Sequence, residues 1–444
     1  MVMNGLKRFS GLIAAACLLV LPFSATAGPV RLSLQDALDM ARENNSTLKA
    51  AASRVEQAEA RYLQTRKAYL PSVELSETMM HTNDPAAVFS YKLRQRVVNP
   101  VDLGYTERIN DPDALTNFQL GLEVRQPILN LDAWNGRKAA EVARSSAGYE
   151  LERAAETIEL EVKKAYYALV LSRSNLEAVN RSIEAMSRHD REARKAYSKG
   201  LITRSDKLST GVRLAELNEQ KLVIRDEIRN AEDALRFLLR YDDDSPIVPE
   251  DGLEVQREHA TVDAAVSVDE RADLKALEAY TRAAEYRTQM AEAAALPRVN
   301  AFVQTNWNDN AFPGLDEHNW TVGLSVNWMV FDGYETIGKQ QEARARELES
   351  RYLYEEARDR SRFDIRRASR MLQTAASRID VARQSLEEAR VSLDYIGERY
   401  RAGQAMTFEL LGREAAYTRA LMRLNRARYD YIMARHELQY ARGS

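Results

Sequence analysis

A seven-residue repeat of apolar side chains runs through two long segments and restricts the possible folds more than any other feature. In the first segment, steps of four and three residues from Leu151 to Tyr197 land almost entirely on apolar residues. The second segment follows the same steps from Ile365 to Tyr400. A sustained repeat of this kind specifies long helices in left-handed coiled-coil packing. No proline interrupts residues 132–200, so the sequence predicts roughly 100 Å of continuous helix there.

The two segments belong to two copies of one longer pattern. The recurring motifs are Leu48-Lys49-Ala50 with Leu274-Lys275-Ala276, Leu70-Pro71 with Leu296-Pro297, Gly121-Leu122 with Gly323-Leu324, and Tyr197-x-x-Gly200 with Tyr400-x-x-Gly403. The spacing between copies falls from 226 to 202 residues because the first copy carries a longer insertion near residues 83–116. Internal repetition at this scale indicates a tandem duplication. We expect a first structural repeat at 28–241, a linker at 242–270 and a second repeat at 271–444.

Each copy also contains two segments of about ten residues in which apolar and polar side chains alternate. They cover residues 72–80 and 117–125 in the first copy, and 298–307 and 319–330 in the second. Alternation of this length predicts strands with one apolar and one polar face, as in membrane β-barrels. An amphipathic soluble sheet has the same alternation. The long helices already bury their own apolar stripes, however, which leaves nothing to cover such a sheet and favours strands that face lipid.

Four tryptophans lie near the ends of these segments. Trp307 and Trp320 come at the loop end of their strands, whereas Trp134 and Trp328 come at the opposite end. Tryptophan is enriched at both interfaces between membrane and water. The sequence therefore predicts two aromatic girdles, one at each membrane surface.

The amino terminus has the regions of a secretory signal peptide. Two basic residues precede an uncharged apolar stretch at 11–23, and Ala25 and Ala27 are the small residues that a signal peptidase reads. We expect residues 1–27 to be removed. The single cysteine, Cys17, then leaves with them, so the mature chain can hold no disulfide. Lipidation at Cys17 is the weaker alternative because a good cleavage site lies downstream.

Composition restricts the function further. A net charge of −3 argues against nucleic acid as the main partner. With 29% charged residues and no second long apolar run, the chain does not have the pattern of a helical membrane protein. The five histidines are scattered without metal-ligand spacing, and no nucleophile, phosphate-loop or zinc motif is present. We expect neither an enzyme nor a cofactor or metal site.

Four strands set a minimum size for the assembly. Closed single-chain barrels begin at about eight strands, and an open strand edge in lipid leaves backbone groups without partners. The chain must therefore oligomerise to close a barrel. Two copies supply eight strands and a lumen filled by side chains, whereas three supply twelve strands and an open lumen. We favour three copies.

The signal peptide, the duplicated order of helices and strands, and the two Tyr-x-x-Gly turns resemble the TolC-like outer-membrane efflux family over residues 32–438. The most specific element is Tyr400-x-x-Gly403 followed by Glu409. The resemblance implies a mixed, mainly α fold: a homotrimer in which four transmembrane strands per chain build a 12-stranded β-barrel and long coiled-coil helices form a periplasmic α-barrel. The implied partners are outer-membrane lipid, a periplasmic adaptor protein and, through it, an inner-membrane efflux pump or ABC transporter. The resemblance does not indicate whether the transported substrate is a drug, a metal or a protein.

Two acids near the turns are candidate gate residues. Asp206 and Glu409 each lie six residues past a turn glycine, which places both near the tunnel tip farthest from the membrane. With threefold symmetry each becomes a charged ring of the kind that selects ions. The alternative is an ordinary acid at a helix start, favoured by the helix dipole. Tyr400 and Arg401 complete the predicted gate.

The chain departs from the family pattern beside these acids. Where the family has an arginine after the second turn glycine, this chain has Ala405, and a second family acid is Gly412 here. The resemblance therefore does not imply a closed state locked by those groups in this chain, and Arg204 and Arg401 are the candidates to substitute for them.

The two turns themselves are the predicted docking site for the adaptor. Gly200 and Leu201 form the first turn, and Gly403 and Gln404 form the second. The resemblance implies that the family meets its adaptor at these helix tips. The competing interpretation of the whole chain is a periplasmic coiled-coil structural or adaptor protein without a membrane barrel, which would have no lipid-facing strands.

Overall fold

The computed structural model describes residues 29–104, 106–255 and 268–443. The expected signal peptide at 1–27, with Cys17 and its cleavage site, lies outside these residues. So do residues 256–267 of the predicted linker.

Both halves of the chain contain a helix, two long strands, a very long helix and a returning helix in that order, and the first half has additional short helices. The first half contains β1 (Val30–Leu32), α1 (Leu34–Asn44), α2 (Ser46–Gln64), β2 (Ser72–Thr82), α3 (Pro85–Arg94), α4 (Pro100–Gly104), α5 (Thr106–Asn110), β3 (Leu115–Leu129), α6 (Leu131–Ser198) and α7 (Arg204–Leu239). The second contains β4 (Ile247–Pro249), α8 (Ala272–Ala293), β5 (Arg298–Asp309), β6 (Glu317–Asn327), α9 (Glu335–Arg401) and α10 (Thr407–Arg442). The prediction of a mainly helical fold that also contains strands is confirmed.

The two long helices match the predicted heptad segments. α6 has 68 residues and α9 has 67, so each is about 100 Å long at 1.5 Å per residue. Their buried stripes include predicted positions: Val162, Leu169 and Val179 of α6 are fully buried, as is Ile379 of α9. The buried face of α6 is wider than the heptad stripe near its middle, where Tyr166 is fully buried as well. The prediction of continuous coiled-coil helices is confirmed.

Each long helix folds back on a 36-residue helix, α7 or α10, to make a hairpin. One hydrophobic cluster joins α6 to α7 and to the short helix α1, with Leu169 and Leu235 at its centre. A second cluster joins α9 to α10 through Leu372 and Leu424. Burying one leucine contributes roughly 1.5–3 kcal/mol. Truncation to alanine at Leu169 should cost about 2–5 kcal/mol because a cavity remains.

The four long strands form one antiparallel sheet in the order β2, β3, β5, β6. Its register brings equivalent positions of both repeats into single rows. One row is Val73, Val124, Val303 and Val322. Because a slip of one residue exchanges the two faces, this register keeps most of the apolar residues of all four strands on one side. Phe302, which pairs with Gly323, lies on the other side.

One strand ends earlier than the sequence predicts. The strand expected to reach residue 330 ends at Asn327, where the indole of Trp328 turns away to donate to the Ala295 carbonyl at 3.1 Å. The helix α2 ends at Gln64 and is followed by a 3₁₀ turn at Thr65–Ala68. Such turns are common at helix ends.

A short parallel pair, β1 with β4, ties the start of the described chain to the linker. The Tyr166 hydroxyl of α6 donates to the Leu32 carbonyl at 2.9 Å and to Asp251 Oδ2 at 2.7 Å. These contacts fasten the linker about midway along α6. Within the described ranges, no helix combines the length and apolar character needed to cross a membrane.

Candidate functional site

One face of the four-stranded sheet is apolar and uncovered. Val73 and Leu75 of β2 are 66% and 68% exposed, and Val322 and Leu324 of β6 are 61% and 72% exposed. Contiguous exposed apolar surface of this kind marks contact with a membrane or a partner. The predicted division of the strands into two faces is therefore present in the folded chain.

The opposite face is polar and internally bonded. Gln119 Nε2 donates to Asn306 Oδ1 at 3.2 Å, and Asn117 Nδ2 donates to Asn308 Oδ1 at 3.2 Å. Gly121 lies on the same face, where an added Cβ would stand only 2.9 Å from Ser76 Oγ. This face supplies amide and hydroxyl groups of the kind that line a water-filled channel.

The four tryptophans occupy the two ends of the sheet. Trp307 lies at the loop end, where its ring approaches that of His318 with centroids 5.3 Å apart, and Trp320 follows two residues on in β6. At the helical end, the indoles of Trp134 and Trp328 donate to backbone carbonyls at 3.3 and 3.1 Å. The pairing of two tryptophans with each end agrees with the expected placement.

The two predicted tip turns share one geometry. Gly200 and Gly403 each have a φ of +73°, in the left-handed region. The residue after each glycine bonds back to its helix: Leu201 N donates to the Ala196 carbonyl at 2.9 Å, and Gln404 N donates to the Arg399 carbonyl at 2.8 Å. This pattern is the Schellman motif, which satisfies the last carbonyls of a helix. Leu201 is 73% exposed, so the first tip presents an apolar side chain to its surroundings.

The two candidate gate acids both lie in the first turn of a returning helix. Asp206 forms a capping box with Thr203: its Oδ2 accepts from the Thr203 hydroxyl at 2.7 Å, and its N–H donates to Thr203 Oγ1 at 3.1 Å. Glu409 Oε2 accepts from the Met406 N–H at 2.8 Å. Within one chain, therefore, both carboxylates act as helix caps. Both stay half-exposed, which leaves their charge available to solvent.

The tyrosines of the two turns have different partners. The Tyr197 ring lies under the Lys207 ammonium at 5.1 Å, within its own repeat. The Tyr400 ring instead meets His189 of α6, edge to face, at 6.5 Å. Burial lowers the pKa of His189, and the nearby Arg188 and Arg401 lower it further against the opposing effect of Glu192. These effects favour the neutral imidazole beside Tyr400.

Arg401 itself, like Arg204, forms no ion pair with any residue that the structure describes. Both are exposed. The predicted substitution of these arginines for the missing family arginine is therefore not seen within one chain. In the described ranges, no three or more His, Cys, Asp or Glu side chains are grouped so that they could hold a metal ion.

Sequence reasoning missed two buried carboxyl groups behind the tips. Asp190 is 6% exposed and accepts hydrogen bonds from Thr210 at 2.8 Å and Arg194 at 2.7 Å. Burial alone would raise the pKa of Asp190, but these bonds hold it below the ordinary value. Burial raises the pKa of Glu414, against the attraction of Arg213 and Arg188. The signal for Asp190 was present, since it is a polar residue at a core position of the heptad repeat.

Comparisons with known proteins agree with this geometry. The model of the family described as outer membrane efflux protein matches residues 37–239 and 267–444. The chain is 22% identical to the alkaline protease secretion protein AprF of Pseudomonas aeruginosa over 451 aligned positions, covering 99% of this chain and 89% of AprF. It is 20% identical to the outer membrane protein TolC of Salmonella enteritidis over 358 positions, covering 77% and 73%. The solved Campylobacter jejuni CmeC outer membrane channel has the same fold, with a TM-score of 0.78 at 18% identity over 92% of this chain and 85% of CmeC.

Proposed function

The chain belongs to the outer membrane efflux protein family, and from this premise we propose that it is the exit duct of a tripartite efflux or type I secretion system. The observation that carries the proposal is the sheet with one uncovered apolar face and one polar face. The apolar rows suit the hydrocarbon of the outer membrane, and the polar face suits a wet lumen. The alternative, a soluble coiled-coil adaptor, would have no lipid-facing strands and therefore does not account for such a sheet.

A homotrimer is the assembly that best suits this sheet. In the described part of the chain, β2 and β6 each pair with a neighbour on one side only. Lipid offers no hydrogen bonds to the free edges, so β6 of one copy pairs with β2 of the next until the ring closes. Three copies give twelve strands and an open lumen.

The helices continue the duct on the periplasmic side. Three pairs of hairpins, each about 100 Å long, form a tunnel whose far end carries the turns at Gly200 and Gly403. These tips, with Leu201 and Gln404, are the site where a periplasmic adaptor docks and connects the duct to an inner-membrane pump or ABC transporter. The half-exposed Asp206 and Glu409 then lie at the tunnel mouth.

Export follows the secretory route. The signal peptidase cleaves after Ala27 and leaves Gly28 as the mature amino terminus. The Cys17→Ser variant should localise as the wild type does, because the thiol is discarded with the signal. Mass spectrometry of the mature protein that found lipid on Cys17 would contradict this route.

Fractionation of cells that express the full chain tests the proposal. We expect the mature protein in the outer-membrane fraction, as a trimer whose migration in gels changes on heating. Reconstituted trimers should conduct ions across planar bilayers. Recovery as a soluble periplasmic protein without conductance would favour the adaptor interpretation.

A further inference from the structure

The insertion between β2 and β3 folds back onto the sheet. It contains α3, and the last residue of α3 together with the two residues after it bonds to side chains of two strands. Arg94 Nη1 donates to Gln119 Oε1 of β3 at 3.2 Å, and the next residue, Gln95, donates from Nε2 to Asn117 Oδ1 at 2.8 Å. Arg96 Nε pairs with Glu317 of β6 at 3.0 Å. The strap at residues 94–96 therefore crosses the sheet from β3 to β6.

All three contacts lie on the polar face of the sheet. Gln119, Asn308 and Glu317 occupy one row of the register. Asn117, which accepts from Gln95, and its partner Asn308 are both completely buried. The apolar face is left open, with side chains such as Leu324 72% exposed. An element outside the barrel would cover the apolar face, so α3 lies on the inner side.

The two sides of α3 differ in exposure. Val88 is 2% exposed and Gln95 is 6% exposed; seven residues apart, they lie on the same side of the helix. Leu93 lies on the opposite side and is 52% exposed, and Val97 just past the helix is 49% exposed. The insertion thus packs one side on the wall and presents apolar groups to the enclosed space.

The width of the barrel relative to that of a helix determines how far α3 narrows the lumen. Twelve strands spaced about 4.8 Å apart and tilted by about 40° enclose a backbone ring roughly 25 Å across. An α-helix with its side chains is about 10 Å wide. Three copies of α3, one from each chain, leave little open area between them.

We propose that α3 is an inward-folded plug that narrows the extracellular mouth of the barrel, held on the lumenal wall by Arg94, Gln95 and Arg96. The inference rests on the trimeric barrel proposed above. The plug sets the largest molecule that passes the mouth and restricts entry from outside. It lies at the end of the duct opposite to the helix tips, so its action is separate from theirs.

Thiol labelling on intact cells tests the plug. Cys17 is the sole cysteine of the sequence and is expected to leave with the signal, so single-cysteine variants are simple to make. The Ser325→Cys variant places a thiol on the polar face below α3, and Leu324→Cys places one on the adjacent apolar position. Each is treated from outside with a small hydrophilic maleimide and with a polymer-linked maleimide wider than the remaining gap.

With α3 intact, the Ser325→Cys thiol should react with the small reagent and at least about tenfold more slowly with the polymer reagent. Adding Arg94→Ala, Gln95→Ala and Arg96→Ala should abolish most of that difference, since the strap loses its hydrogen bonds. Arg108→Ala, a change to an exposed arginine of the same insertion, is the matched control and should leave the ratio unchanged.

Exchanging the charges of Arg96 and Glu317 shows whether the effect of a strap variant comes from loss of the ion pair or from misfolding. Arg96→Glu alone should speed the polymer reaction, and the added Glu317→Arg change should slow it again by restoring the pair. Equal rates for both reagents with α3 intact, or no response to the strap changes, would overturn the plug while leaving the barrel. If the Leu324→Cys thiol reacted with the small reagent as readily as the Ser325→Cys thiol, the proposed barrel, with one face in lipid and the other in the lumen, would be contradicted.

Discussion

The ring of His189 on α6 meets the ring of Tyr400 on α9 edge to face, with 6.5 Å between their centroids. This contact joins the two repeats close to the helix tips. The equivalent tyrosine, Tyr197, packs on Lys207 of its own repeat. The duplicated turns are therefore not equivalent, and only the second one holds its hairpin to the other repeat through its tyrosine.

Removal of the Tyr400 ring should loosen the tip. An aromatic pair contributes about 0.5–1.5 kcal/mol beyond its buried area, so Tyr400→Ala should raise the conductance of trimers in planar bilayers. Tyr400→Phe keeps the ring and should conduct as the wild type does. Tyr197→Ala is the matched control because its ring lies within one repeat. A similar increase in the Tyr197→Ala variant would show that the cross-repeat contact is not what restrains the tip.

The turn glycines should be indispensable for docking rather than for assembly. Gly200→Val and Gly403→Val each force a β-branched residue into the left-handed region, at about 1 kcal/mol or more. Export should fail, while trimers still form and remain heat-modifiable. Gly412 lies inside α10 with open space around it, so Gly412→Ala should be neutral or stabilising. Normal export by both valine variants would remove these turns from the adaptor site.

The sequence predicted the individual helices and strands well because each element shows its own buried face as a periodic pattern of apolar residues. The heptad positions around Leu169 and the alternation around Leu324 each reflect one face of one element. The register that aligns Val73 with Val322 depends on pairing between strands far apart in sequence, which local alternation does not contain. The fold of the insertion at 83–116 was missed for a related reason. The insertion is held on the sheet by single side chains such as Gln95, and these do not recur at regular intervals in the sequence.

The two faces of the sheet should respond differently to a buried charge. Leu324→Arg places a guanidinium in lipid and should cost about 2–4 kcal/mol near mid-bilayer. Ser325→Arg is the neighbouring control, with its side chain on the polar face. Gly121 is a poorer control because any side chain there meets Ser76 Oγ. Urea titration of folded protein in vesicles measures both variants, and equal losses would mean that the faces are wrongly assigned.

Acid should destabilise the tunnel through His436. Its ring is 7% exposed and stacks on Tyr167 at 5.9 Å, and burial lowers the pKa of His436 from 6.5 to about 4. As the pH falls between these values, the His436 imidazole binds a proton in the unfolded chain but stays neutral in the folded chain. The free energy of unfolding should then drop by up to roughly 3 kcal/mol.

The variant His436→Phe keeps the stacking and removes the titrating group. Its thermal midpoint, followed by circular dichroism, should match the wild type near pH 7.5 and exceed it near pH 5. The same loss of stability in both proteins over this range would assign the acid sensitivity to other groups.

The charge at the tunnel mouth can be separated from helix capping, because amide side chains still accept the capping hydrogen bonds. Glu409→Gln retains an acceptor for the Met406 N–H, and Asp206→Asn retains one for the Thr203 turn, so helix stability should change by only a few tenths of a kcal/mol. If both carboxylates face the lumen, three copies place six charges in a narrow mouth, which attracts cations and repels anions.

Reversal potentials in planar bilayers should therefore show cation selectivity in the wild type. Glu409→Gln should weaken the selectivity and the block by multivalent cations, and the double variant with Asp206→Asn should weaken both further. The effect should shrink in about 1 M salt, where the screening length falls to roughly 3 Å. Glu355→Gln, a change to an exposed acid far from the tip on α9, should alter neither property. Unchanged selectivity in the double variant would mean that the carboxylates act as helix caps alone, since their charge would then not reach the permeating ions.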